Sequence, residues 1–150
     1  MRLDCALLCD AATVREGLLH ILGGGITRIA RPEPYPVALD VFLALRIVVD
    51  PGESKRSHQS QILLQSDEGK AIAELRIEFA VGPGNKSEHR PGEEIALPIA
   101  ARLHGIGVPA PGAYSFEVLI DGIHQSTVPF VVVQAPELSA TGRKSDTQDS

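Results

Sequence analysis

Cys5 and Cys9, each beside an aspartate (Asp4 and Asp10), are the first residues in the chain whose types could do chemistry. Thiols and carboxylates this close could hold a soft metal or pair a nucleophile with an acid. A structural zinc site, however, draws on four converging N/S ligands at short spacings. Cys5/Cys9 is the one such pair, while His20, His58, His89, His104 and His124 are spread through the chain. On one strand, residues four apart are separated by about 13 Å, too far for a disulfide. The two cysteines therefore read as buried free thiols in a reducing compartment.

Gly23-Gly24-Gly25 invites comparison with a phosphate cradle. Neither G-x-G-x-x-G nor G-x-x-x-x-G-K-[ST] is present, and no convincing helix follows. Glycine inside an apolar strand reads instead as a bulge or a close backbone approach. No G-x-S-x-G turn presents a serine nucleophile. Asp10 is the acid to watch: at the end of a first strand it would accept from the Ala12 or Thr13 amide as an Asx turn. No catalytic, cofactor-binding or metal-ligating residue is assigned, no cofactor is expected, and the chain is not read as an enzyme.

The elements that would position these residues are strands. Leu3, Cys5, Leu7 and Cys9 alternate with Asp4, Ala6, Leu8 and Asp10, predicting a strand over residues 3–10. Residues 18–22 allow two readings. Asp10 could cap a helix ending at Gly23, but Gly17 would sit inside it at a cost of about 1 kcal/mol. A turn at Arg15-Glu16-Gly17 into a strand is the favoured reading. Residues 26–29 look extended, and Pro32, Pro34 and Pro36 then enforce a loop. Residues 37–49 are apolar on both faces and predict a central strand.

Residues 58–66 and 70–81 predict an antiparallel hairpin through Asp67-Glu68-Gly69, with Ala71, Ala73, Leu75, Ile77 and Phe79 inward. Residues 82–92 read as a mobile surface loop. A strand over residues 95–103 carries Pro98, which suggests an edge or a bulge, and residues 105–112 return to Gly/Pro punctuation. The last hairpin, residues 113–121 and 123–134, turns at Asp121-Gly122 with Tyr114, Phe116, Val118 and Ile120 inward, and Pro129 is expected to break its ladder. Residues 137–150 are polar and read as a disordered tail. The prediction is an all-β, antiparallel, immunoglobulin-like sandwich of about eight strands over residues 1–136.

Two resemblances support this class. Pro111-Gly112-Ala113-Tyr114-Ser115-Phe116-Glu117-Val118, then Asp121-Gly122, then Pro129-Phe130, resembles the final hairpin of immunoglobulin-like sandwiches, which implies a fold and no function. Cys9-Asp10, then Gly17-Leu18, Ile21 with Gly23, and Tyr35-Pro36 resemble a family of small uncharacterised bacterial proteins that open with a similar CD…G-x-L-x-x-x-G pattern. That resemblance implies strand at residues 18–22 and carries no functional residue across.

Composition bounds the rest. A chain of 150 residues fits one domain and can bury roughly 70% of its unfolded surface. With 4% aromatics and no Trp, the core falls to Val, Ile, Leu and Ala. A net charge of −5 argues against a nucleic-acid surface, and no window approaches a membrane span. The acid at Asp4 is unlike a signal peptide, so a cytoplasmic location is expected. The leading expectation is a module that meets a protein partner, or a copy of itself as a homo-oligomer. It would do so through loops 31–36, 82–92 and 105–112 or through an edge strand. The alternative is a small-molecule-binding or hydrolytic sandwich with its site among the histidine-bearing loops.

Overall fold

Alternation and turn chemistry decide the elements. A computed structural model describes residues 1–53, 56–80, 90 and 92–136. The expected tail from residue 137, and all of the loop over residues 82–92 except Arg90 and Gly92, lie outside the described residues. Among the described residues the chain is all-β, with one short 3-10 turn at Pro51–Glu53.

β1 (Arg2–Arg15), β2 (Leu18–Gly24), β5 (Phe42–Val49) and β8 (Ile95–Arg102) form one sheet, in the order β2-β1-β5-β8. β3 (Arg28–Arg31), β6 (Ser57–Ser66), β7 (Ala71–Ala80), β10 (Gly112–Ile120) and β11 (Ile123–Gln134) form a second, ordered β3-β11-β10-β6-β7. β4 (Val37–Ala38) pairs with β9 (Gly107–Val108) beside them. The sheets face each other across one core. Leu8, Leu43, Leu45 and Ala101 come from the first, and Ile62, Leu64, Phe116, Val118, Phe130 and Val132 from the second.

The hairpins follow their turns. Glu16 and Gly17 both take positive φ (54° and 72°), as do Asp121 and Gly122 (50° and 80°). These are the two-residue type I′ connections that match strand twist, and residues 18–22 are strand. β6 and β7 pair as expected, with Gly69 at φ 81° in their turn. A register shift at Leu64/Gln65 turns Ala71 outward and lets Ile72 join the core, the reverse of the expected alternation there. β8 is an edge strand and contains Pro98.

Several expectations need correction. Residues 37–49 are not one strand: Asp40 adopts φ 52°, separating β4 from β5. β5 is nevertheless the central strand foreseen, buried on both faces except at Arg46. The fold is not wholly antiparallel, because β3 runs parallel to β11. Eleven strands are present among the described residues, the extra ones being the two-residue β4 and β9. Pro129 stays in register opposite Ser115, its missing N–H falling two residues before β3 begins to pair with β11.

β1 also runs five residues beyond Asp10. Residues 2–9 pair with β5, but from Asp10 onward β1 pairs with β2 alone. The result is a two-stranded arm. The sheet curls enough to bring β2, at one end of its order, within 8 Å (Cα) of β5 and of β8 at the other. Leu19 packs with Phe42, Leu7 and Ala100 over Cys9, Ala12 and Ala44, closing a small apolar cluster on the outer face of the sheet.

Candidate functional site

The cysteines are structural. Cys9 is fully buried with its thiol 3.7 Å from the Phe42 carbonyl, and Cys5 is half-buried; both are free. Burial pushes both thiols up, away from the reactive thiolate. Asp4 pairs with the Arg46 guanidinium. Among the described residues no group of three His, Cys, Asp or Glu could hold a metal.

Asp10 is not an Asx turn at a strand end. It lies in mid-β1 beside Gly23, where an added Cβ would stand 2.5 Å from Asp10 Oδ2. Gly23 also adopts φ 63°, and the amides of Gly25 and Ile26 both donate to the Leu8 carbonyl. The glycine run is a bulge with a close approach, as its composition suggested. Gly23→Ala should cost about 1–2 kcal/mol from the left-handed backbone alone. Asp10→Ala added to it should recover only part of that loss in thermal unfolding. A Gly23→Ala variant as stable as the parent would remove the bulge from this account.

Among the described residues the histidines do not converge. His20 is exposed on β2, His104 stands edge-on to Phe42, and His89 lies outside the described residues. His104 Nδ1 and Ser60 Oγ are buried without a hydrogen-bond partner. His58 is buried on β6, stacked on Phe79, and bonded through both ring nitrogens. Nδ1 lies 2.6 Å from Asp121 Oδ2, and Nε2 lies 2.8 Å from the Glu53 carbonyl. Burial pulls its pKa down, but the hydrogen bonds to Glu53 and Asp121 outweigh it and hold the pKa above the ordinary histidine value. The bond from His58 in turn draws Asp121 below the usual carboxylate range.

His124, on the outer face of the β10–β11 hairpin, meets the nearest approach to a catalytic constellation. His124 Nε2 donates to Glu117 Oε2 at 2.6 Å, Thr127 donates to the same oxygen at 2.5 Å, and Ser115 donates to Oε1 at 2.9 Å. Burial opposes the Glu117 charge, but the donors from Thr127, His124 and Ser115 prevail and lower its pKa. A nucleophile–base pair needs one imidazole nitrogen on the acid and the other on the hydroxyl. Here Nε2 faces both, with Thr127 Oγ1 3.2 Å away, and the hydroxyl proton already belongs to a weakly basic carboxylate. This cluster holds a charge and does not activate an oxygen.

The arm is the unusual surface. Val14, Leu18, Ile21 and Leu22 are exposed at 43%, 63%, 39% and 70%, and among the described residues only Ile123 and Val131 are other large apolar side chains comparably open. Ala11, Ala12, Thr13, His20, Ile21 and Leu22 line a shallow depression of about 220 Å³ on it. β2 itself, Leu18 to Gly24, has no charged residue. The other outer strands of the two large sheets do: Glu74, Arg76 and Glu78 on β7, Arg102 at the end of β8, and Arg28 and Arg31 on β3. A strand apolar on both faces reads the same whether it is buried in a sheet centre, as β5 is, or left open at an edge.

No helix among the described residues is long and apolar enough to cross a membrane. Comparison with functionally curated proteins gave no match. Residues 4–133, which include the arm and both sheets, match a family of unknown function, and the chain belongs to that family, DUF6941.

Proposed function

We propose that the protein is a non-enzymatic interaction module that docks through the β1–β2 arm by strand addition, carried on an immunoglobulin-like sandwich. The observation that carries the docking reading is the concentration of exposed apolar side chains on an uncharged edge strand. A long apolar edge is a template for pairing with another strand, and proteins that do not use such an edge blunt it with charge, bulges or cover. The two described loops, 31–36 and 105–112, offer less. Arg31 ties the proline loop to the Ala38 and Leu39 carbonyls, and the 105–112 segment is pinned by β9 on β4 and by the Leu39 amide on Ile106.

The immunoglobulin-like reading draws on strand order. β10 lies between β6 and β11, β5 lies beside β8, and the early strand β3 runs parallel to the last strand. Tyr114, near the start of β10, donates to the Ala110 carbonyl at 2.5 Å, the corner found at the equivalent strand of that fold.

The experiment is cross-linking and capture from native lysate with the parent chain and with Leu18→Lys/Leu22→Lys. Species held by the parent, whether another protein or a second copy, should be lost from the variant while its thermal unfolding is unchanged. Retention of every species by the charged variant would rule the arm out.

A further inference from the structure

We infer that the occupant of the β2 edge is a second copy of this chain, paired antiparallel about a two-fold axis at His20; this rests on the docking reading above. The first argument is charge. The outer strands β3 and β7 carry charged side chains along their length, and β8, though charged only at Arg102, is interrupted by Pro98, which has no N–H to give a ladder. Residues 18–24 bear no charge, and a partner strand that sets apolar side chains against Leu18 and Leu22 covers them without desolvating a charge. β2 is itself such a strand.

The second argument is register. Arg15 and Leu18 close the two-residue turn, so Leu18, His20 and Leu22 direct their N–H and C=O groups to β1. Leu19 and Ile21 therefore present theirs to the open edge. Antiparallel self-pairing centred on His20 makes Leu19 exchange both hydrogen bonds with Ile21 of the partner subunit, and the reverse on the other side of the axis. His20 then faces its symmetry mate as a non-hydrogen-bonded pair. The same register sets Leu18 against Leu22 of the partner subunit, joining the two most exposed apolar side chains of the arm. It also stops short of Gly23, whose φ of 63° leaves the extended region and would interrupt a ladder centred on Ile21. An isologous contact of this kind closes after two copies and does not propagate.

The test uses the full chain. Sedimentation equilibrium should give a dimer, and Leu22→Lys should raise its dissociation constant about 100-fold or more, because a buried leucine is lost at two symmetric positions. His20→Cys should form a disulfide-linked dimer under mild oxidation, since non-hydrogen-bonded antiparallel pairs bring Cα atoms to about 4.5 Å. Ile21→Cys should not, because it faces Leu19 of the partner subunit. A monomer at all concentrations, a Leu22→Lys dimer as tight as the parent's, or cross-linking through position 21 in place of 20 would each overturn the proposal. A monomeric chain that still captures another protein through the arm would overturn only the second copy and leave the docking reading standing.

Discussion

Phe116→Ala should lower unfolding free energy by about 3–5 kcal/mol, the cost of deleting a large buried aromatic side chain and leaving its cavity. Phe116 is fully buried on the core face of β10, between the two sheets. Its ring stacks on Phe130 at 5.2 Å, and Phe130 stacks on Tyr114 at 5.9 Å. The chain has only four Phe, two Tyr and no Trp, so half its aromatic residues lie in this one stack. The surrounding Leu, Ile and Val side chains belong to paired strands, which limits how far they can collapse into the space. Chemical denaturation measures the loss. A value below about 1 kcal/mol would mean that the core relaxes around the deletion and that this stack is not its centre.

The second large effect is a pH dependence set by His58 and Asp121. Both partners of the His58 ring are acceptors, so the doubly protonated ring satisfies both and folding favours the imidazolium. With the His58 pKa raised on folding, its contribution is complete below the unfolded value near 6.5. It is lost as pH rises through the higher folded value. Asp121, with its pKa lowered, contributes above the unfolded value near 3.9 and loses that contribution as pH falls through the lower folded value. Stability from this pair is therefore greatest in the mildly acidic range and declines on the alkaline side. Charge-assisted hydrogen bonds contribute about 1.5–3 kcal/mol, and with the Asp121 carboxylate 43% exposed, water screens this one toward the low end of that range. Asp121→Asn is the informative variant, because Asn tolerates the φ of 50° at that position while removing the charge. Melting temperatures measured from pH 5 to 9 should show the decline in the parent and a flatter profile in Asp121→Asn. The same decline in both would acquit the pair.

The all-β class and most strand positions were legible in the sequence, because alternation and turn residues act locally. Asp121-Gly122 and Glu16-Gly17 specify their hairpins almost alone, and Tyr114, Phe116, Val118 and Ile120 face inward as their spacing requires. What local pattern could not carry was partnership. The alternation of β3 does not distinguish a parallel from an antiparallel neighbour. The positive φ at Asp40 splits a segment whose hydrophobicity is continuous. The His58–Asp121 bond joins residues 63 positions apart, and neither residue advertises the other. The arm was obscure for a related reason. Leu18, Ile21 and Leu22 have the composition of core residues, and only the end of β5 pairing at Cys9 leaves them uncovered.

The parallel pairing of β3 with β11 has a consequence for how the chain is made. Residues 28–31 emerge early in synthesis, yet among the described residues their only ladder partner is residues 131–134. The β1–β2 hairpin, being local, can close as soon as it appears, whereas β3 must wait for nearly the whole chain. Loop closure over such a separation is slow. During that interval the nascent chain carries a finished apolar hairpin beside an unfinished body. The last of the described strands is thus the one that fixes β3 in its sheet, and a chain truncated before residue 131 should be left with an unpaired β3 and a weakened seam between the early and late parts of the fold.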